Sequence, residues 1–277
     1  MLGLVLFAIS NLKPYDHASF SSLVSLGFGR VSLLNLIHGQ GWAVPPTGSA
    51  GLLSAIIVAN IPQLLLSGLY LTLNNIMTRI YLQVEWTGFS THRKALRVSR
   101  KRIGAQRATY FLHLPYRAGL PLMVISATLH WLVSQSIFLA VVDIYDSSGR
   151  PGLRDELYGT YGSRVRFLTT CAYSPLAMIC TLIVGTLIIF VPVIVGARPI
   201  NGNGMPLVGS CSAAIAAACH APKDGKDVEK PVMWGAISEG LLEEIVREQN
   251  ESDSDHIGHC SFSSGPVDIP VPGRLYE

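Results

Sequence analysis

The 277-residue chain has 21 Lys and Arg and 18 Asp and Glu residues, so that 14% of it is charged while 49% is hydrophobic. A soluble domain is about a quarter charged, and this composition excludes an ordinary soluble enzyme domain, a nucleic-acid-binding protein with a basic surface and a disordered polypeptide. Residues 31–78, 118–142 and 167–197 contain no charge at all. Uncharged apolar runs of that length predict membrane-spanning helices.

The first fifty residues are predicted to form an extracytoplasmic or interfacial segment. Met1–Ser10 is apolar but short, and it lacks the basic leader and cleavage site of a signal peptide, so it is either the stub of a longer helix or a loose terminus. Residues 19–38 carry Arg30 near their centre, which is costly in lipid. We expect them to lie at the interface or to pack on the helix bundle, and a fourth, N-terminal span remains an alternative.

Three membrane spans are predicted over residues 51–78, 119–142 and 167–197. At about 1.5 Å of rise per residue, each is long enough to cross a hydrocarbon layer about 30 Å thick. Pro175 and Pro192 should bound or kink the third helix. The sequence therefore predicts an all-α membrane bundle over 51–197, followed by a partly disordered tail over 198–277.

The charged segments between the spans predict the orientation of the chain. Residues 79–117 contain nine basic residues and one acid, whereas residues 143–166 contain four of each. Because Lys and Arg near membrane spans mark the cytoplasmic side, the basic loop and the tail are predicted to be cytoplasmic. Residues before the first span and the loop 143–166 are predicted to lie outside.

Polar side chains recur at helical spacing inside the spans. Asn60, Gln63, Ser67, Asn74 and Thr78 share one helix face in the first span. Such residues either bond helices together or line a path for a solute, with His130 as the ionisable group inside the spans. The candidate path consists of Asn60, Gln63, Ser67, Ser126, His130, Ser134 and Gln135.

The loop after the first span is polybasic and is predicted to contact anionic lipids of the inner leaflet. Its alternative role is only to determine topology, and Arg97-Val98-Ser99 also resembles a kinase site. The candidate lipid contacts are Arg93, Lys94, Arg97, Arg100, Lys101 and Arg102.

The tail begins with small apolar residues and becomes acidic. Cys211 and Cys219 are candidates for S-acylation. No Cys-x-x-Cys pair supports a metal site, and we predict neither a metal nor a cofactor. Residues 222–258 are predicted to be a solvated linker with a short helix near 239–248.

Several unusual strings of the chain resemble a family of fungal multi-pass membrane proteins of unknown activity. Members of that family typically carry an additional N-terminal membrane domain, so the resemblance implies that this chain corresponds to their C-terminal portion and that the missing domain, or other membrane helices, would be its partner. No functional residues can be carried over from that family. The strings are Leu96–Ser99, Gln106–Arg117, His130–Ser136, Gly209–Ser212, Ala218–His220 and Gly258–Ser264.

These features favour a non-enzymatic membrane scaffold or sensor that acts through its loop and tail. The alternative is a transporter or channel for a small polar solute that uses the polar stripes. An enzyme is disfavoured because the chain has no His-Glu-x-x-His or Gly-x-Ser-x-Gly motif and no intramembrane Asp pair. The sequence predicts no catalytic residues.

Overall fold

A computed structural model describes most of the chain and divides it into two compact units. Unit 1 comprises Met1–Leu73 and Leu120–Pro192, and unit 2 comprises Asn74–Gly119 and Val193–Glu277. The described residues are 2–12, 19–32, 35–37, 48–110, 112–143, 145, 148–149, 153–154, 164–165, 167–219, 229–237 and 258–276.

The described residues form helices and short strands in the following order. The helices are α1 (Leu2–Leu12), α2 (Phe20–Ser25), α3 (Gly48–Thr87), α4 (Tyr116–Ser136), α5 (Pro175–Gly196) and α6 (Ser212–Ala218). The strands are β1 (Arg97–Val98), β2 (Arg107–Ala108), β3 (Ile137–Asp143), β4 (Leu153–Arg154), β5 (Arg164–Val165), β6 (Phe167–Tyr173), β7 (Met233–Ala236) and β8 (Cys260–Ser263).

Three helices are long and apolar enough to cross a membrane, namely those over Ala50–Thr87, Tyr116–Ser136 and Pro175–Gly196. The prediction of three such helices is confirmed. Their apolar side chains are largely exposed: Leu64 of α3 is 73% exposed and Leu187 of α5 is 64% exposed. A contiguous exposed apolar surface of this kind is costly in water but not in lipid.

The predicted all-α fold is wrong, because β3 and β6 pair antiparallel in unit 1. Their register runs from Ile137 opposite Tyr173 to Asp143 opposite Phe167. The apolar runs 119–142 and 167–197 therefore each contain a helix and a strand. Both strands are rich in β-branched and aromatic residues, which favour extended structure, but a short apolar run cannot be assigned to helix or strand from hydropathy alone.

The start of α5 lies at Pro175, eight residues after the predicted start of the third span. Pro175 occupies the first helical position, where its missing N–H has no partner to lose. The Ser174 hydroxyl accepts a hydrogen bond from the Ala177 N–H at 3.5 Å, as a helix N-cap does. Ser174 also donates its backbone N–H to the Ser136 carbonyl at 2.9 Å. The end of α4 and the start of α5 are therefore tied together beside the sheet.

The N-terminal segment packs into unit 1. Leu36 forms a β-bridge with Ala172 of β6, and the Thr170 hydroxyl donates to the Ile37 carbonyl at 2.8 Å. Residues 35–37 thus extend the β3–β6 pair. The N-terminal helix α1 contributes Val5 and Ala8 to a buried cluster that also includes Ala55, Ile137, Cys171, Tyr173 and Met178.

Unit 2 combines the predicted basic loop and the predicted tail into one core. β7 pairs antiparallel with β8, and Lys94 of the loop forms a β-bridge with Val232 of the tail. Within the tail, which was predicted to be partly disordered, the described residues 198–219, 229–237 and 258–276 include strands and a short helix. The predicted linker helix near 239–248 lies outside the described residues. The core residues are Phe89, Met205, Val232, Trp234 and Cys260, packed against Trp86, Leu96 and Phe262.

Candidate functional site

Most polar side chains of the α3 stripe bond to carbonyl groups of their own helix. The Asn60 amide donates to the Ile56 carbonyl at 2.8 Å, and the Ser67 hydroxyl donates to the Gln63 carbonyl at 3.0 Å. These bonds satisfy the donors without a partner helix or water, which is how polar groups in a hydrocarbon environment are accommodated. Asn60 is exposed on the helix surface, and no contact with another residue of the candidate path is seen for it.

Gln63 of α3 and His130 of α4 form a two-point contact between helices. The Gln63 Nε2 donates to the His130 backbone carbonyl at 3.0 Å, and the Gln63 Oε1 lies 2.7 Å from the His130 Nδ1. Because a carbonyl can only accept, the Gln63 nitrogen must face the His130 carbonyl, and its oxygen must face the ring. The His130 Nδ1 therefore donates its N–H to the Gln63 oxygen.

The remaining residues of the candidate path lie on α4. The Ser134 hydroxyl donates to the Trp131 carbonyl at 2.7 Å, within the helix. The Gln135 side chain packs on Gly29, where an added Cβ would lie 2.0 Å from the Gln135 oxygen. Ser126 is half-buried. Of the seven predicted residues, the structure joins Gln63 to His130 between helices. Asn60, Ser67 and Ser134 bond within their own helices.

A buried set of hydroxyl groups at the α4–α5 junction was not included in the predicted path. The Ser136 and Thr181 hydroxyls are 3.1 Å apart, and the Ser174 hydroxyl donates to the Gly27 carbonyl at 3.3 Å. All three side chains are buried. The Ser-Pro start of α5 was the sequence signal for this junction, since it brings Ser174 to the end of α4. These bonds fasten the helices and leave no hydroxyl of the set aimed at a substrate.

Three of the six residues predicted to contact lipid make contacts within unit 2. The Arg93 guanidinium donates to the Ser264 carbonyl at 2.8 Å and to the Gly265 carbonyl. Lys94 exchanges backbone hydrogen bonds with Val232, and its ammonium lies 5.9 Å from the Phe89 ring centroid. These contacts join the loop to the tail.

Arg97 is the most extensively bonded of these basic residues. Its Nε lies 2.5 Å from the Glu85 carboxylate. Its Nη2 donates to the Tyr110 hydroxyl at 2.6 Å, and its guanidinium carbon lies 3.9 Å from the centre of the Tyr110 ring. The planar guanidinium serves both contacts, which a lysine could not reproduce.

The other three basic residues, Arg100, Lys101 and Arg102, are exposed and follow Ser99, one residue after the end of β1. No hydrogen bond or ion pair from their side chains is seen within the described part of the chain. The sequence alone could not separate these residues from Arg93, Lys94 and Arg97, because both sets occur in one continuous basic run.

The cysteines of unit 2 differ in exposure. Cys211 and Cys219 are exposed on either side of α6, whereas Cys260 is buried. Burial raises the pKa of the Cys260 thiol, because its thiolate would lose hydration in the core. Among the residues that the structure describes, no three His, Cys, Asp or Glu side chains are grouped to hold a metal ion.

Comparison with known proteins gives a single finding. No curated protein and no solved structure matches this chain. A family model described as a domain of unknown function, DUF8419, matches residues 2–276 and so includes both compact units. The chain therefore belongs to the DUF8419 family.

Proposed function

We propose that this protein is a multi-pass membrane protein that acts without catalysis, as a scaffold or sensor whose interaction module is unit 2. The observation that carries the proposal is that unit 2 is built from two separate segments of the chain. It combines Asn74–Gly119, which runs from the end of α3 to the start of α4, with Val193–Glu277, which begins in the last turn of α5, and it has its own aromatic core. A folded module attached to apolar helices is suited to binding other components at a membrane. The resemblance to fungal multi-pass membrane proteins agrees with the membrane location in this proposal.

The orientation follows from chain connectivity and charge. If α3, α4 and α5 cross a bilayer, the segments that fold together as unit 2 must lie on one side of it. Residues 79–117 carry nine basic residues, and the positive-inside rule counts such residues rather than net charge. Unit 2 is therefore cytoplasmic, despite the acidic residues of the tail, and the N-terminal segment and the loop 143–166 are extracytoplasmic.

Two native cysteines provide a test of this orientation. Cys211 and Cys219 are exposed in unit 2, while Cys171 and Cys260 are buried. A membrane-impermeant maleimide should label the protein in inside-out vesicles and not in intact cells, and the C211S/C219S variant should lose that labelling. Labelling of Cys211 in intact cells would overturn the orientation. Release of the protein by alkaline carbonate would overturn membrane insertion itself.

The rival function is transport of a small polar solute along the stripes of α3 and α4. The arrangement at Gln63 disfavours it, because Gln63 and His130 bond to one another and Asn60 and Ser67 bond to their own helix. Purified protein in liposomes should therefore show the same flux of ions, sugars and amino acids as empty liposomes. Solute uptake that is lost in both Gln63→Leu and His130→Ala would establish the transport function and overturn the scaffold proposal.

Lipids are the partners that unit 2 meets first. Because α3 and α5 continue into unit 2 and α4 begins there, the module is tethered beside the bilayer. The helices that carry it expose apolar side chains that suit hydrocarbon or the helices of another membrane domain. Anionic lipids of the inner leaflet are the partners that match its basic residues.

A further inference from the structure

The segment that follows β1 presents three cations and one large apolar side chain to the outside of unit 2. Arg100, Lys101 and Arg102 are all exposed, and Ile103 is 55% exposed. We define residues 100–103 as the basic turn. Arg93, Lys94 and Arg97 earlier in the same loop make contacts within unit 2. The basic side chains of the basic turn make no hydrogen bond or ion pair with the described residues.

The backbone around Ile103 is held in one conformation. The Ile103 N–H donates to the Gln106 side-chain oxygen at 3.1 Å, and the Gln106 N–H donates to the Ile103 carbonyl at 3.3 Å. The next residue, Gly104, has a φ of +60°, and a Cβ there would lie 2.7 Å from the Glu229 carbonyl. The backbone that follows Ile103 is therefore preformed, which lowers the entropy lost when Ile103 enters a binding surface.

The charges beside the turn come from a second segment. The Ala105 N–H donates to the Glu229 carbonyl at 2.8 Å, which brings Glu229 and the adjacent Lys230 next to the turn. Among the described residues beside the turn, these two opposite charges offset each other, so the positive charge of Arg100, Lys101 and Arg102 remains. Arg100, Lys101 and Arg102 are three consecutive cations with long side chains. They match a diffuse negative surface better than a fixed set of carboxylates.

We propose that the basic turn docks on the anionic headgroups of the bilayer in which the protein is embedded, with Ile103 inserted among them. This inference rests on the proposed function, which tethers unit 2 beside the membrane. Each basic residue should change the ratio of docked to free turn about fivefold, since a Lys or Arg at an anionic leaflet contributes about that factor. Docking would fix unit 2 against the leaflet and make its position depend on lipid charge.

The test uses full-length protein in nanodiscs, with an environment-sensitive nitrobenzoxadiazole probe at position 103. The variant Ile103→Cys is made in a C211S/C219S background, because those two thiols are exposed. Emission and quenching by doxyl-labelled lipid are measured with and without 30% phosphatidylserine. We expect a blue shift and quenching only with phosphatidylserine, and the loss of both in R100Q/K101Q/R102Q or in 1 M salt.

A pair of single substitutions provides the matched control. Lys101→Gln should lower the ratio of docked to free turn about fivefold. Arg274→Gln removes an exposed charge elsewhere in unit 2 and should leave that ratio unchanged.

A probe that stays in water with phosphatidylserine, or that is quenched equally without it, overturns the proposal. A probe that responds only to added polyglutamate overturns it in favour of an acidic protein partner. In each case, insertion into nanodiscs with an intact unit 2 leaves the scaffold proposal standing, whereas failure to insert contradicts that proposal.

Discussion

The two compact units deal with polar groups in opposite ways. In unit 1, the Ser67 and Ser136 hydroxyls donate to helix carbonyls, and His130 bonds to the Gln63 side chain. The exposed surface of the helices is apolar. In unit 2, an aromatic core is surrounded by charges, some bonded and some exposed. The difference is the one expected between a region surrounded by lipid and a region surrounded by water. It indicates that the polar groups of unit 1 fasten helices, while those of unit 2 are also available for binding.

The largest effect is expected from a cavity in the core of unit 2. Trp234 is 5% exposed and packs with Phe89 and Cys260. Trp234→Ala should lower the free energy of unfolding of unit 2 by about 3–5 kcal/mol, because a large aromatic side chain is lost from a filled core. Thermal unfolding in detergent would measure it, with proteolysis of unit 2 as a second readout.

The control for Trp234→Ala is Leu207→Ala in the same unit. Leu207 is 73% exposed, so its truncation should change the stability of unit 2 by less than about 0.5 kcal/mol. Equal effects of the two substitutions would contradict a core centred on Trp234.

A smaller effect is expected at the polar contact between helices in unit 1. Gln63→Leu removes the side-chain hydrogen bonds from Gln63 to the His130 Nδ1–H and to the His130 carbonyl. It should destabilise the bundle by about 0.5–2 kcal/mol. Asn60→Leu, one turn earlier, should cost almost nothing, since Asn60 is exposed and bonds only to its own helix. A double-mutant cycle with His130→Ala would measure the coupling, and a coupling near zero would contradict the two-point contact.

A similar test compares the two sets of basic residues in unit 2. Arg97→Gln breaks the contacts with Glu85 and Tyr110 and should cost about 1 kcal/mol, a modest value because both charged groups are partly exposed. Arg100→Gln should leave stability unchanged. Chemical denaturation followed by Trp fluorescence would compare them, and equal stability of the two variants would refute the division of the basic loop into bonded and exposed residues.

The smallest expected difference is in the rates at which two cysteine thiols of unit 2 react with maleimide. A raised pKa leaves less Cys260 thiolate at a given pH, so Cys260 should react with maleimide more slowly than Cys211 at pH 7 to 8 and should catch up only as the pH rises. Mass spectrometry of labelled peptides would give both rates. Equal rates in the folded protein would show that Cys260 is not enclosed.

The sequence was sufficient to predict the three apolar helices and to select Gln63 and His130 as polar residues of facing spans. It was insufficient to predict the strands that begin at Ile137 and Phe167. Each strand lies in the same apolar run as a helix, and hydropathy does not change between the two. The pairing of Lys94 with Val232 could not be predicted either, because the two residues are far apart in the chain and each lies in a polar segment. The separate roles of Arg97 and Arg100 could not be predicted, because Arg97 differs only through its contacts with Glu85 and Tyr110.

The central claim is that the loop after α3 and the tail after α5 form one folded module, and the Lys94–Val232 bridge tests it most directly. The two residues exchange backbone hydrogen bonds at 2.9 Å, and such antiparallel neighbours are close enough for a disulfide. In K94C/V232C protein oxidised within membranes, we expect an intramolecular crosslink between positions 94 and 232, identified by mass spectrometry and absent from either single variant. No crosslink, or one formed only between molecules, would contradict the module and the function proposed for it.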